Sequence, residues 1–301
     1  MDHTLDLIDL DQPKRGYRRF LSTWVCRADG LTFLVDPGPR GTIPHLLAEL
    51  ARLGVARVDH VLLTHIHLDH GGGAAEILEA FPEATLYCHP KGAKHLFEPA
   101  ALWEGSLKVL GDDARMYGEP GPVDPARMTD AEALARRGIE VVFTPGHAVH
   151  HVSFRYGATF FAGEAFGTRS PLPSGGLYLR PATPARFFLD QALASIDGVL
   201  KMPREPERTA FAHYGLVPGC FALAIAAREQ LLLWVGATGE LRGRAASRAD
   251  LDEIVFQRLQ KIDPCYGRGL FDELDADIQA RERHFLHNTL DGILGWLESA
   301  S

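Results

Sequence analysis

Short apolar runs recur through the chain up to residue 215. Runs of this kind, bounded by glycine, proline and aspartate, are typical of buried strands. They occupy residues 21–28, 31–35, 58–63, 85–88, 139–143, 152–156, 159–162 and 209–212. The dipeptide Asp29-Gly30 joins the first two runs and predicts a hairpin turn. Apolar residues at helical spacing predict helices between the strands, over residues 42–53, 71–81 and 187–200.

Helical periodicity takes over after residue 215. Residues 221–235, 250–260 and 271–297 each repeat apolar side chains at helical spacing. We therefore divide the chain into a mixed unit of residues 1–215 and a helical extension of residues 216–301. The extension is predicted to cap a site on the first unit, to pack on its sheets, or to form a homodimer interface.

Two segments of the first unit show little periodicity. Residues 99–128 are rich in turn formers, and residues 165–183 contain several prolines and glycines. Both are predicted to be loops. Two interpretations of residues 99–128 stay open. The segment either forms a wall of a substrate pocket, with Met116 and Tyr117 in contact with substrate, or is a solvated insertion.

Four side chains able to bind metal crowd together directly after the apolar run 61–63. They are His65, His67, Asp69 and His70. Side chains alternate along an extended segment, so His65 and His67 point the same way and can share one ion. Asp69 and His70 can serve a second ion if the chain turns at the glycines that follow. Imidazole and carboxylate together suit Zn²⁺, or a pair of iron or manganese ions.

The six residues from His65 to His70 resemble the H-x-H-x-D-H signature of the metallo-β-lactamase superfamily. Later segments resemble further parts of that family in the expected order; they are Thr144-Pro145-Gly146-His147, Phe161-Ala162-Gly163-Glu164 and Phe211-Ala212-His213-Tyr214-Gly215. The resemblance covers residues 18–215. It implies an α+β fold, the four-layer αββα sandwich of this family, here with a C-terminal helical extension.

The resemblance also implies a set of metal ligands, in two groups with one residue between them. These are His65, His67 and His147 for the first metal, Asp69, His70 and His213 for the second, and Glu164 as the bridge. The family has aspartate where this chain has Glu164. The extra carbon–carbon bond gives Glu164 about 1.5 Å more reach, so it either bridges both metals or binds one. Two Zn²⁺ ions per chain are expected, with iron or manganese as alternatives. Asp69 is also expected to orient the metal-bound hydroxide and accept its proton.

Four more residues are candidates for supporting or substrate-binding roles. Asp36, in an Asp-Pro-Gly turn, either supports the metal site or is an ordinary turn residue. His151 follows His147 by four positions, where the family often has a histidine, and is expected to hydrogen-bond a ligand. Tyr178 and Arg180 lie where family hydrolases often have a substrate-binding tyrosine. Tyr178 would polarise a carbonyl and Arg180 would pair with an anionic group, with core packing or a surface turn as the alternative.

Composition limits the partners. The 301-residue chain has a formal net charge of -8, which argues against a nucleic acid as the main partner. Its four cysteines are scattered without a C-x-x-C pair, so neither a disulfide framework nor a cysteine zinc site is expected. The N-terminal residues lack the pattern of a secretory leader, and no uninterrupted apolar stretch is long enough to span a membrane. We predict a cytoplasmic protein that does not act on membranes.

The resemblance implies a reaction type rather than a substrate, because the family includes hydroxyacylglutathione hydrolases, lactonases, β-lactamases, phosphodiesterases and nucleases. We expect a hydrolase of the broad hydroxyacylglutathione hydrolase or lactonase-like group. A metal-activated water would cleave a small ester, thioester or lactone. Two alternatives stay open. One is a non-catalytic or sensor-like ligand-binding member, favoured by Glu164. The other is an iron-dependent sulfur dioxygenase.

Overall fold

The computed structural model describes residues 3–28 and 30–299. Asp29 of the predicted hairpin turn lies outside these ranges. The strands are β1 Thr4–Asp9, β2 Ser22–Ala28, β3 Leu31–Val35, β4 His60–Leu62, β5 Thr85–Tyr87, β6 Ile139–Phe143, β7 Val152–Tyr156, β8 Thr159–Gly163, β9 Thr168–Ser170, β10 Tyr178–Arg180, β11 Arg208–Phe211 and β12 Gly215–Pro218. The α-helices up to residue 200 are α1 Ile43–Arg52, α2 Leu68–Gly71, α3 Ala74–Ala80, α4 Pro90–Phe97, α5 Ala100–Leu110, α6 Asp112–Tyr117, α7 Ala131–Arg136 and α8 Leu189–Leu200.

Two five-stranded sheets form the centre of the fold. The first has the order β1-β2-β3-β4-β5, and the second has the order β12-β11-β8-β7-β6. In the first sheet β4 runs parallel to both β3 and β5. In the second sheet β8 runs parallel to β11. Strands that run parallel end at the same edge of their sheet, so the residues that follow them lie close together.

Alternation of side chains along the strands gives each sheet two apolar faces. Trp24 and Cys26 of β2 pack between the sheets with Phe161 of β8. Val25, the residue between them in sequence, packs on the other face of the first sheet, in a cluster that includes residues of α1 and α3. Phe160 of β8 packs against residues of α8 on the outer face of the second sheet. The layers therefore run helix, sheet, sheet, helix, which confirms the predicted αββα sandwich.

The two segments predicted as loops contain regular structure. Residues 99–128 fold mainly as α5 and α6, followed by a 3₁₀ turn at Pro125–Arg127. The turn formers mark helix ends rather than a loop, since Gly111 and Gly118 flank α6 with φ angles of 56° and 89°. In residues 165–183, β9 and β10 pair as a two-stranded sheet. The helix predicted over 71–81 begins later, as α3, and a separate short helix, α2, precedes it and contains Asp69 and His70.

The C-terminal residues form four helices, as far as residue 299. They are α9 Phe221–Leu241, α10 Arg248–Ile262, α11 Arg268–Phe271 and α12 Ala276–Ser299. Their apolar faces form a separate cluster that includes Trp234, Val255 and Leu290. Helix α9 also packs on the second sheet, through Leu223 and Ala224. By length and composition α9 meets the criteria for a membrane span, but half of that stretch is buried inside the protein, as in a core helix.

Candidate metal centre

The predicted ligands converge on one end of the two sheets. His65 and His67 follow β4, Glu164 follows β8, and His213 follows β11. His147 lies in the connection between β6 and β7, where Gly146 approaches α8 so closely that a Cβ there would lie 2.5 Å from Ala192 Cα. These five ligands therefore lie beyond strand ends, where the sheet fixes the position of the backbone, and Asp69 and His70 follow in the short helix α2.

The first group of possible ligand atoms comes from His65, His67, His147 and Glu164, all within 4.8 Å of one another. His147 Nε2 lies 3.0 Å from His67 Nδ1 and 3.0 Å from Glu164 Oε2. His65 Nε2 lies 3.3 Å from the same Glu164 oxygen. These separations are suited to one cation with three nitrogen donors and one oxygen donor.

The second group consists of Asp69, His70 and His213, again within 4.8 Å. Asp69 Oδ2 lies 3.6 Å from His70 Nε2 and 3.5 Å from His213 Nε2. Glu164 reaches this group as well, because its Oε2 is 3.4 Å from His70 Nε2 and its Oε1 is 3.7 Å from His213 Nε2. The longer glutamate side chain thus places its carboxylate between the two groups.

Asp36 supports ligands of both groups. Its carboxylate accepts hydrogen bonds from the Thr64 backbone N–H, the Thr64 hydroxyl and His70 Nδ1, at 2.7, 2.7 and 3.1 Å. His65 Nδ1 in turn lies 3.1 Å from the Thr64 hydroxyl oxygen, to which it donates. Of the two interpretations of Asp36, the supporting role is the one its contacts favour. With Nδ1 of both histidines donating, each Nε2 keeps its lone pair for a cation.

Two further ligands, His147 and Glu164, are oriented by other groups. His147 Nδ1 lies 3.1 Å from the Ala182 carbonyl oxygen, which leaves Nε2 as the free acceptor. His151 Nε2 accepts a 3.0 Å hydrogen bond from the Glu164 backbone N–H. His151 therefore lies beside a predicted ligand, as expected, but it holds the backbone of Glu164 rather than its side chain.

Burial and charge set the protonation of the cluster. Burial lowers the pKa of His65 well below its ordinary value and, helped by His147, lowers that of His67 to about 3. Burial alone would raise the pKa of Asp69, but His70 and His213 lower it to about 2. Burial would likewise raise that of Glu164, and His147 and His213 lower it well below its usual range. Burial alone would lower the pKa of His70, but Asp69 and Asp36 raise it well above its ordinary value. His65 and His67 are therefore neutral imidazoles, the form that binds metal, whereas a cation at the second group would displace a proton from His70.

The donor set fits a pair of divalent cations. Nε2 of His65 and Nε2 of His70 are buried and have no hydrogen-bond partner in the described part of the chain. A buried polar atom without a partner is costly unless a ligand satisfies it. Imidazole with carboxylate suits Zn²⁺, and suits iron or manganese as well.

Tyr178 and Arg180 do not contact the candidate site. Both are buried, with exposed fractions of 1% and 3%. Arg180 Nε donates to Glu282 Oε2 at 3.0 Å, and the Tyr178 hydroxyl lies 3.5 Å from the same oxygen. The predicted substrate contacts are therefore wrong, because α12 covers these side chains and the anionic partner of Arg180 is Glu282. The alternative of core packing accounts for both residues.

A cavity adjoins the first ligand group. Its wall includes His147 and Glu164, and the C-terminal region contributes Ala227, Gln230 and Leu231 of α9. The remaining lining is mainly apolar and contains neither lysine nor arginine; it consists of Thr144, Pro145, Ala165, Phe166, Gly167, Pro181, Ala182, Thr183, Phe187, Ala192, Ser195 and Ile196. Sequence reasoning did not indicate these residues, since they come from five separate segments.

Sequence reasoning also missed Thr64 and Ala182 as supports of the ligand rings. Thr64 has a signal in the sequence, because it directly precedes His65 and carries its hydroxyl on Cβ, close to the backbone. Ala182 acts through its carbonyl oxygen, so its side chain carries no signal in the sequence.

Comparisons with known proteins place the chain in a family. The sequence profile of the Metallo-beta-lactamase superfamily matches residues 16–203. The chain therefore belongs to the metallo-beta-lactamase superfamily, which confirms the resemblance seen in its motifs.

Two curated relatives show how far the similarity extends. The metallo-beta-lactamase fold-containing protein ST1585 of Sulfurisphaera tokodaii is 27% identical over 205 residues, covering 65% of this chain and 73% of that protein. A hydroxyacylglutathione hydrolase of Aeromonas salmonicida is 30% identical over 165 residues, covering 54% of this chain and 52% of the relative. The chain thus matches about half the length of that hydrolase.

Solved structures support the fold over nearly the whole chain. The metallo-beta-lactamase family protein TTHA1429 of Thermus thermophilus aligns with a TM-score of 0.65 at 20% identity, covering 98% of this chain and 93% of that one. The structure of ST1585 aligns with a TM-score of 0.62 at 24% identity, covering 77% and 87%. The first alignment extends the shared fold into the C-terminal helices.

Proposed function

We propose that this protein is a metal-dependent hydrolase that cleaves a small ester, thioester or lactone with a metal-activated water. The observation that carries the proposal is the convergence of two ligand groups on the Glu164 carboxylate. Two adjacent cations bound there would lower the pKa of a shared water to about 7, as zinc does in known hydrolases. The same superfamily includes the hydroxyacylglutathione hydrolases that this chain resembles.

Asp69 is the residue suited to handle the proton. Its side chain is 20% exposed, whereas those of Glu164 and His213 are 7% and 3% exposed. A carboxylate at the solvent edge of the cluster can accept the proton that a water loses on becoming hydroxide, and can then pass this proton to the leaving group or to bulk water. We therefore assign Asp69 both a ligand role and a catalytic role.

The substrate is proposed to be small and uncharged where it meets the cavity. The cavity wall offers mainly apolar contacts and contains neither lysine nor arginine. Two cations could neutralise one scissile phosphate, but a nucleic acid would also need cationic side chains for its neighbouring phosphates. The lining and the net charge of -8 together favour an acyl compound over a polyanion.

Zinc is the proposed metal, with iron and manganese as the alternatives that the ligand set also suits. Metal analysis of the purified protein by mass spectrometry tests this proposal. We expect about two zinc ions per chain, since the donors form two groups. One metal per chain would show that Glu164 serves a single ion, and no retained divalent metal would contradict the metal centre.

The hydrolase proposal is tested with His67→Ala and a panel of esters, thioesters and lactones. Loss of a ligand should lower both metal content and kcat/KM, the latter by more than the roughly 10–100-fold typical of residues that only support ligands. His95→Ala, an exposed histidine on α4, is the matched control and should keep wild-type activity. Full activity in metal-free His67→Ala would contradict the proposal.

The same panel separates the alternative functions. A protein that binds both metals but cleaves no compound of the panel would favour the ligand-binding member that Glu164 suggests. Oxygen uptake with a thiol persulfide would favour the iron-dependent sulfur dioxygenase. The cytoplasmic location and a homodimer through the C-terminal helices stay predictions, the latter testable by light scattering on the full chain.

A further inference from the structure

The rings of the predicted ligands are oriented in different ways. His65, His70 and His147 each direct Nδ1 at an oxygen, from Thr64, Asp36 and Ala182 respectively. Nδ1 of His213 is buried and has no hydrogen-bond partner among the residues described by the structure. Its ring must therefore be held by packing.

Phe20 supplies that packing. The centroids of the Phe20 and His213 rings lie 4.6 Å apart with an angle of 57° between the ring planes. Phe20 is 2% exposed. Hydrogen bonds between β2 and the end of β11 bring it there, since the Ser22 backbone N–H donates to the Ala212 carbonyl at 3.0 Å.

Phe20 is itself held by a helix of the C-terminal region. Phe285 of α12 lies 5.2 Å from the Phe20 ring and Tyr17 also lies 5.2 Å from it, so the three rings form one aromatic set. The Arg281 guanidinium, on the same helix as Phe285, lies 4.4 Å from the Phe20 ring centre. Ring pairs and cation–π contacts at these separations are favourable beyond the area they bury.

We propose that Tyr17, Phe20 and Phe285 position His213, so that helix α12 determines how tightly the second ligand group binds its metal. The inference rests on the proposed metal centre and assigns the C-terminal region a part in building it. Phe20 and Phe285 are positioning residues, because each acts on the metal through His213. Loss of the ring contact would free the imidazole to turn about its side-chain bonds, and a bound metal would then have to restrict that freedom again.

A role in packing alone would have a different signature. Removing any large buried side chain from α12 would then lower the stability of the fold and leave the metal affinity of the folded protein unchanged. A positioning role predicts that only removal of the ring set weakens metal binding, and only at the second group. Metal affinity and stability must therefore be measured separately.

The test uses the full chain, stripped of metal and titrated with Zn²⁺ in the presence of a competing chelator. Phe285→Ala should bind its second zinc about tenfold more weakly than wild type, the low end of the range for residues that support ligands, and bind the first zinc normally. Phe285→Tyr keeps the ring and should restore both affinities. Leu286→Ala is the matched control, because Leu286 is the next residue, is more completely buried than Phe285 and packs in the separate C-terminal cluster.

The outcomes separate this inference from the metal centre itself. If wild type binds two zinc ions and Phe285→Ala binds both as tightly, the positioning role is wrong and the centre stands. An equal loss in Leu286→Ala would also overturn the positioning role. If Phe285→Ala does not fold, Phe20→Leu, which keeps most of the volume and removes the ring, repeats the test. A wild type that binds no zinc would remove the metal centre and this inference together.

Discussion

The two ends of the ligand cluster are held by different kinds of contact. At one end Asp36 fixes His70 directly and His65 through Thr64, with hydrogen bonds of 2.7–3.1 Å. At the other end His213 packs on Phe20, whose ring packs in turn on α12. We call the first the polar end, because hydrogen bonds from Asp36 and Thr64 hold it. We call the second the aromatic end. It depends on α12, which is remote from both Phe20 and His213 in the sequence.

This difference has a physical consequence. A hydrogen bond to Nδ1 fixes both the tautomer and the direction of the ring, so the polar end is set by a few atoms. Ring packing is less directional and requires that every contacting element be in place. The orientation of His213 at the aromatic end should therefore depend on the stability of the C-terminal helices, whereas the orientation of His65 and His70 at the polar end should not.

Glu282→Gln is expected to give the largest effect on stability, because it removes the carboxylate that pairs with Arg180 and Arg281 beside the aromatic end. Glu282 Oε2 accepts from Arg180 at 3.0 Å and Oε1 accepts from Arg281 at 2.9 Å, and all three side chains are buried. Glutamine leaves both guanidinium groups without their carboxylate. Breaking a buried pair in this way should lower the free energy of unfolding by about 3–5 kcal/mol, measured by urea denaturation at pH 7.

An exposed ion pair provides the control. Glu253 pairs with Arg283 and its side chain is 48% exposed, so Glu253→Gln should change stability by no more than about 0.5 kcal/mol. Comparable losses of unfolding free energy in the two variants would show that burial of the Glu282 ion pairs makes no difference to stability.

The same carboxylate predicts a pH dependence. Burial alone would raise the pKa of Glu282, but Arg180 and Arg281 bring it below its ordinary value of 4.5. The folded chain then binds this proton less readily than the unfolded chain. The stabilisation is fully present above pH 4.5 and is lost as the pH falls through the lowered pKa of the folded state. Glu282→Gln should flatten that part of the stability profile.

Asp36→Ala is expected to have the next largest effect, and it acts on the polar end. It removes the acceptor for Thr64 and His70, so two ligand rings lose their orientation together. Metal affinity should fall about 10–100-fold, measured by competition with a chelator. Asp59→Ala is the control. Asp59 directly precedes β4, and its carboxylate accepts a hydrogen bond from the Thr32 backbone N–H, so this variant should keep the metal affinity of wild type. An unchanged affinity in Asp36→Ala would mean that the sheet alone orients the rings.

Apart from the role of Thr64, the polar end could be predicted from the sequence, whereas the ring packing around His213 could not. The ligands, the strands that carry them and the αββα layers follow from motifs whose members lie next to one another or at strand ends. Asp36 is a candidate because its Asp-Pro-Gly turn resembles one that the family often has. Phe20 and Phe285 give no such signal, because nothing in a local pattern indicates which remote rings will meet.

The errors have a related cause. The place of Tyr178 and Arg180 in the sequence predicts contact with substrate, but α12 packs over them and Glu282 neutralises the arginine. Helical periodicity predicted most of α12 without showing which surface it covers. Residues 99–128 were misjudged because glycines at helix ends and glycines in loops are alike in a sequence.

Gly163→Ala is expected to give the smallest effect. It changes the residue directly before Glu164, whose carboxylate lies between the two ligand groups. Gly163 has a φ angle of 56°, a region that alanine enters at a cost of about 1–2 kcal/mol. A Cβ there would also lie 2.5 Å from His151 Nε2 and 2.8 Å from Thr64 Cβ. These neighbours orient Glu164 and His65, so relief of the clash must move at least one predicted ligand. We expect a loss of about 1–3 kcal/mol in unfolding free energy, with weaker binding of both metals.

Gly198→Ala in α8, where a Cβ meets nothing within 4 Å, should instead stabilise the protein by about 0.5–1 kcal/mol. If Gly163→Ala lost stability but bound both metals normally, Glu164 would be placed by its own strand rather than by His151.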